Sequence, residues 1–303
     1  MSDLMKILAV FTGGTISCSQ SGGVLSPDGA NSFLLLKHRT DVCFDTLTPY
    51  TILSENLTAA ELELLYGAVS QNLSSGFDGI IIAHGTDTVQ YTAAYLALKL
   101  GLCSVPVVIV SADYPLSDSR SNGFDNFDAA VDFIASNQGR GVFVSYRNRG
   151  DGFTVIHRGG ALLPHTPYCD SLYSMNGNFY GTVRGGKFTK NPDYTETCSR
   201  HGVEAGLNGH VLYLKAYPGM IYPALTDGVK AVLLEGYHSG TLNTAGEELK
   251  RFCQAAEMRG VPVYLTGNTD GFNYESKALF DSLKIIPLPP EPPATAYIRL
   301  WLT

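Results

Sequence analysis

The stretch Lys6-Ile7-Leu8-Ala9-Val10-Phe11-Thr12-Gly13-Gly14-Thr15-Ile16 decides how this 303-residue chain folds. From Ile7 to Phe11 the residues are apolar without alternation. Such a run predicts a short strand covered on both faces, the usual condition of a strand inside a parallel sheet. It stops at a hydroxyl followed by two glycines. In an open α/β sheet, ligands bind outside the carboxyl ends of the strands, which is where Thr12 falls. Gly13 and Gly14 allow a tight turn and a close approach of ligand to backbone. A plain strand closed by a glycine turn accounts for the same residues. A dinucleotide loop does not, because the glycines are adjacent and GxGxxG is absent.

The same pattern recurs downstream. Gly79–Ala83, Pro106–Val110 and Gly141–Tyr146 are further buried-strand runs, and Thr58-Ala59-Ala60-Glu61 is a capping box that opens a helix to about Leu73. Val89–Leu100 and Asp125–Asn137 are two more helices. This alternation predicts an α/β fold with a parallel, doubly wound sheet. Directly after the second strand run stands His84-Gly85-Thr86-Asp87-Thr88. It offers two hydroxyls and a carboxylate at a second strand end. Thr86 or Asp87 serves equally as a cap for the helix from Val89, and His84 as a hydrogen-bonded strand-end residue.

From about Phe179 to Gly209 the chain is rich in Gly, Thr and Asn and poor in apolar residues, which predicts a hairpin and then a linker. The expected organisation is an N-terminal domain over 1–190, a linker over 191–209 and a smaller α/β domain over 210–303. In the last, His210–Lys215, Lys230–Glu235 and Val261–Thr266 are strands, and Thr244-Ala245-Gly246-Glu247 is a second capping box, opening a helix to about Arg259. Pro287–Pro293 is expected as a linker before a closing amphipathic run, Thr295–Leu302.

Apolar residues are 45% and charged residues 16% of the chain, and the formal net charge is −7. An acidic chain without a basic run disfavours nucleic acid and anionic membrane as partners. No segment has the ~18 apolar residues of a membrane span, and no charged-then-apolar leader precedes Ile7. The six cysteines are scattered without a CxxC pair, so reduced thiols in a cytoplasmic protein are expected, with no metal site.

Thr12-Gly13-Gly14-Thr15-Ile16 and His84-Gly85-Thr86-Asp87-Thr88, some seventy residues apart, together resemble the L-asparaginase family. Ser54-Glu55-Asn56, Ser174-Met175-Asn176, Gly186-Lys187 and Tyr217-Pro218-Gly219 extend the resemblance over nearly the whole chain. It implies a large doubly wound domain followed by a smaller, flavodoxin-like one. It also implies hydrolysis of a side-chain amide of asparagine or a related small molecule, with release of ammonia and without a cofactor. Thr12 then corresponds to the nucleophile that becomes acylated, Thr86 to a threonine of the proton relay, and Asp87 to the carboxylate that holds the substrate's α-amino group. Gly13, Ser54, Glu55 and Gly85 correspond to substrate-contacting positions. The family's habit implies a homodimer or homotetramer, in which the loop Tyr237–Asn243 lies near a neighbouring subunit's site.

Three positions depart from the family pattern. Leu163 stands where the family has a lysine supporting the second threonine, and His165 is the nearest replacement base. The loop from Ser17 to Pro27, where the family carries a lid with a tyrosine, has none. Glu55 replaces a neutral side chain, which favours a substrate with a blocked carboxylate or a positive group unless the side chain points to solvent. A binding protein that has kept the pocket and lost the chemistry is a second reading. A third is the ammonia-producing subunit of an aminoacyl-tRNA amidotransferase, a chain that usually carries an extra N-terminal domain, whereas Thr12 lies almost at the start here.

Overall fold

The computed structural model describes residues 4–14, 16, 18–21, 24–27, 29–199, 201–267 and 274–303; for 18–21, 24–27 and 29–32 it describes the backbone. The chain forms two compact units, Met1–Glu204 and Ala205–Thr303. In chain order the first holds β1 (Met5–Phe11), β2 (Cys18–Ser21), β3 (Val24–Pro27), α1 (Gly29–His38), β4 (Val42–Leu47), α2 (Ala59–Ser70), β5 (Gly79–Ala83), α3 (Val89–Leu100), β6 (Pro106–Val110), α4 (Gly123–Ala135), β7 (Gly141–Tyr146), β8 (Thr154–Arg158), β9 (Gly181–Arg184) and β10 (Lys187–Lys190). The second holds β11 (His210–Lys215), β12 (Val229–Glu235), α5 (Glu247–Met258), β13 (Val263–Thr266), α6 (Glu275–Ala278), β14 (Ile285–Pro287) and α7 (Pro293–Trp301).

The large sheet has the order β10-β9-β8-β7-β6-β5-β1-β4. β4, β1, β5, β6 and β7 are mutually parallel, while β8, β9 and β10 add on antiparallel. The expected doubly wound sheet is therefore present with an antiparallel extension. That extension includes β8, whose short run Thr154–Arg158 mixes polar and apolar residues and does not stand out in the sequence. From β1 the chain crosses to β4 on one side and returns to β5 on the other. The switch point of the sheet thus lies at β1. The ends of β1 and its neighbour β5 carry the Thr12 and His84–Asp87 segments.

Every residue of β5, β6 and β7 is buried, which explains their largely unbroken apolar sequences. Ile7, Ala9, Phe11, Ile81, Ala83, Val108, Val110 and Phe143 pack with Phe127, Ala130, Val131 and Ile134 of α4 in one cluster. The alternate residues Leu8, Val10, Ile80, Ile82, Val107 and Ile109 are buried too, and the pleat turns them to the opposite face. α2 begins with the expected box: Thr58 Oγ1 accepts from Ala60 N–H (3.3 Å) and Glu61 Oε2 accepts from Thr58 N–H (3.0 Å). β9 and β10 form the expected hairpin, turning through Gly185 and Gly186 at φ 54° and 76°.

In the second unit the sheet is parallel in the order β11-β12-β13-β14. Leu249, Phe252 and Ala256 of α5 cover one face, and Ala296 and Leu300 of α7 pack with Val211 and Leu233. The capping box expected at Thr244 does not form. α5 starts at Glu247 behind Gly246, with no side-chain cap. The first-turn carboxylates Glu247 and Glu248 complement the helix dipole instead. Among the described residues no helix is long and apolar enough to cross a membrane, and the described cysteine side chains (Cys43, Cys103, Cys169, Cys198, Cys253) are free.

β8 ends on a deeply buried charge. Arg158, at the end of β8, is 2% exposed. Its guanidinium donates to Arg140 O (2.7 Å), pairs with Glu196 and lies 4.4 Å over the Phe143 ring. Removing one partner from a buried pair leaves the other charge unsatisfied. Glu196 is 38% exposed, so water partly relieves the loss. Glu196→Ala is expected to lower stability by roughly 2 kcal/mol, read as a shift of the urea midpoint at unchanged slope.

Candidate active site

Thr12 is the first residue beyond β1 and is 3% exposed. Its side-chain Oγ1 donates to Ala83 O at 2.9 Å, and its N–H donates to the same oxygen at 3.2 Å. The last carbonyl of β5 thus fixes both ends of the residue. On the other side, Ile52 N–H donates to Thr12 O (3.1 Å) and Gly14 N–H to Ile52 O (3.0 Å). Gly13 and Gly14 adopt φ 99° and 76°, values closed to ordinary L-residues. Space is as decisive as conformation: a Cβ on Gly13 would meet Ile52 O at 2.2 Å, and one on Gly14 would meet Gly85 Cα at 2.4 Å. A Cβ on Gly85 would in turn lie 2.3 Å from Ser54 Oγ. Three segments far apart in sequence therefore meet at close quarters, which places Thr12, Gly13, Ser54 and Gly85 together.

The second loop resolves the alternatives its sequence left open. His84 is buried; its Nδ1–H donates to Gly85 O (2.8 Å) and its Nε2 accepts from Thr92 Oγ1 (2.9 Å). Burial pushes its pKa down to about 4, so near neutral pH it is an uncharged strut between Gly85 and Thr92. The N-cap of α3 is Thr88, without a side-chain cap bond, because Thr88 Oγ1 donates to Ser54 O (3.0 Å). Neither Thr86 nor Asp87 caps the helix.

Both reach a cavity of about 620 Å³ lined by Thr86, Asp87, Asp113, Tyr114, Arg149, His165, Thr166, Pro167, Tyr168, Cys169 and Asp170. Thr12 lies outside that lining, joined to it through Ala83 and the loop that follows. Glu55 does not line it either, and its side chain is exposed, which removes the electrostatic argument for a cationic substrate at that position. Leu163, at the position of the expected lysine, donates its N–H to Tyr173 O (3.0 Å) and is absent from the cavity wall. Thr15, Ser17, Gly22 and Gly23 of the nucleophile loop and the expected lid lie outside the described residues.

His165 stands beside Tyr146, with ring centroids 5.6 Å apart, and its Nε2 is buried without a hydrogen-bond partner among the described residues. Burial lowers its pKa, against opposing pulls from the main chain of Thr166 and the charge of Asp87. The remaining wall carries groups that the sequence reading missed. Asp113 accepts from the N–H groups of Tyr114 and Asn122 (both 2.9 Å), and Tyr146 donates its hydroxyl to Asp170 Oδ1 (2.5 Å). Burial first, then contact with the Asp170 carboxyl, pushes Asp113 up to about 6. Asp170 Oδ2 is buried and has no hydrogen-bond partner among the described residues. The rule that selects Thr12 and Thr86 also applies to Asp113, three residues past the end of β6, and to Arg149, three past β7. Asp170 and Tyr168 belong to a long irregular segment that carries no such signal.

Residues 6–193, more than half of the chain, match the family described as Asparaginase, N-terminal. A glutamyl-tRNA(Gln) amidotransferase subunit of Methanosarcina acetivorans is 32% identical over 286 residues, 87% of this chain and 64% of that protein. The corresponding amidotransferase subunit of Methanosphaera stadtmanae is 27% identical over 321 residues, 99% of this chain and 72% of that one. This chain thus spans about two thirds of the length of these relatives. Among solved structures, the thermostable L-asparaginase from Thermococcus kodakarensis superposes with a TM-score of 0.78 at 21% identity, covering 98% of this chain and 92% of its own. A probable cytoplasmic L-asparaginase from Campylobacter jejuni gives 0.73 at 19%, with 98% and 94% covered. The strand-end threonine, the glycine contacts that lock its loop to the second motif, and the match across residues 6–193 make this chain a member of the asparaginase family.

Proposed function

We propose that this protein hydrolyses a small carboxamide to the acid and ammonia through an ester on Thr12. The observation that carries the reading is the seating of Thr12 and the Thr86–Asp87 loop on adjoining strand ends at the switch point of the sheet. In the first step Thr12 Oγ1 bonds to the amide carbon, the C–N bond breaks, and the hydroxyl proton leaves with the nitrogen as ammonia. In the second, water attacks the ester, the acid departs, and a proton from that water restores the Thr12 hydroxyl. A threonine hydroxyl is a weak nucleophile and loses its proton only as it attacks, so a base or relay must be at hand. Thr86 and His165, on the wall of one cavity, are the groups assigned to that task. Asp87, exposed within the cavity and unused as a cap, suits the ammonium group of an amino-acid amide.

A second reading is favoured by the comparisons. The sequence relatives at 27% and 32% identity are named as amidotransferase subunits, whereas the asparaginases are similar at 19% and 21%. In that reading the same hydrolysis supplies ammonia to a partner chain that amidates glutamyl-tRNA. Ammonia release from asparagine, glutamine and their capped forms, alone and with proteins co-purified from the native source, separates the two. Release by the isolated chain supports the first, and release only with a partner supports the second.

Thr12→Ala is expected to reduce ammonia release below a few per cent of wild type. The lost hydrogen bond to Ala83 O costs about 1 kcal/mol of stability, visible as a small fall in melting temperature. Substantial residual turnover in the purified variant sinks the assignment.

Asp87→Asn is expected to raise KM at least tenfold for a substrate with a free amino group and to leave the melting temperature unchanged, since the side chain caps nothing. An unchanged KM removes Asp87 from substrate binding.

His165→Ala is expected to slow turnover by roughly tenfold or more. Because burial favours the neutral imidazole, the wild-type rate should rise with pH along a limb centred below the usual ~6.5. A flat profile from about pH 5 to 8 in wild type, or an equal rate in the variant, assigns the proton to solvent.

A further inference from the structure

Tyr50 lies between β4 and Ile52, the residue whose two backbone hydrogen bonds clamp Thr12 and Gly14. The segment bearing Tyr50 is thus held against the nucleophile loop. Its hydroxyl is buried and, among the described residues, has no hydrogen-bond partner. Its polar neighbour is the side-chain hydroxyl of Thr12. The phenol stands near that oxygen without a hydrogen bond of normal geometry to it, while Thr12 Oγ1 gives its own proton to Ala83 O at 2.9 Å. A buried phenol without a partner is unfavourable, and phenylalanine would fill the same space without that penalty. Nothing in the described part of the resting fold accounts for the hydroxyl.

We propose that Tyr50 is a positioning residue for Thr12: when Oγ1 leaves Ala83 O to face a substrate carbonyl, the Tyr50 hydroxyl donates a hydrogen bond to it. This rests on the Thr12 reading above. The phenol keeps its proton throughout. Burial, reinforced by the charge of Glu61, holds Tyr50 protonated far above neutral pH, so it is a donor and never a base. A donor at Oγ1 acts wherever that oxygen carries negative charge, as its proton departs in attack and as it leaves the ester in hydrolysis. The Thr12 proton itself still travels to the departing nitrogen, and no atom passes through Tyr50.

The test is Tyr50→Phe beside wild type and Thr12→Ala, with asparagine and glutamine as probes, ammonia as readout and melting temperature measured on each. The expected result is a fall in kcat of about tenfold or more, KM within about twofold, and a melting temperature equal to or above wild type. A purely structural hydroxyl would lower the melting temperature and leave kcat unchanged, which overturns the proposal. An unchanged kcat in Tyr50→Phe with Thr12→Ala inactive also overturns it, while leaving Thr12 as nucleophile. If wild type releases no ammonia from either probe, or Thr12→Ala stays active, the reading of Thr12 fails and the role of Tyr50 fails with it.

Discussion

The contact between the backbones of Gly14 and Gly85 is the constraint on which this site depends. A single methyl on Gly14 would stand 2.4 Å from the Gly85 Cα, well inside van der Waals contact, and one on Gly85 would strike Ser54. With no side chains between them, two loops from different strands behave as one rigid piece. The hydrogen bond from Thr12 Oγ1 to Ala83 O spans this frame in the resting fold. Ile52 completes the clamp from the third side. Pre-organisation here comes from what the sequence omits.

Around this frame the titratable groups are set apart by their surroundings. His84 is sealed and neutral, its two nitrogens both used. His165 is half-buried with Nε2 unbonded among the described residues, the condition of a group able to take a proton. Asp87 opens to the cavity, whereas Asp113 is folded in among backbone N–H groups against a second acid and keeps its proton toward pH 6. Two histidines and three acids within one neighbourhood thus have different tasks, and burial and partners set them more than identity does.

Much of the frame is legible in the sequence. The apolar runs locate β1, β5, β6 and β7 within a residue, because strands covered on both faces leave few polar positions to blur the pattern. β4 and β8 are not visible in this way. β4 is an edge strand with Asp45 and Thr46 exposed on its two faces, and β8 carries His157 and Arg158, whose burial depends on Ser174 and Glu196 far along the chain. For the site, strand-end logic finds Thr12, Thr86 and Asp87. It cannot tell that Thr88 rather than its neighbours stands at the N-cap, since Thr86, Asp87 and Thr88 are all of residue types that cap well. Nor can it find Asp170 or the neighbours of Tyr50, which irregular segments bring in from a distance.

The hydrogen bond from Thr12 to Ala83 closes a span of 71 residues. Its closure entropy must be met before any of the local contacts exist, and the pairings of β1 with β4 and β5 are also between distant segments. No short fragment can hold a rudimentary form of this site, and a partly folded chain has none at all. The candidate site therefore forms only once the central sheet has brought these segments together, and a nick anywhere between Gly14 and Gly79 divides it into two pieces that must reassemble.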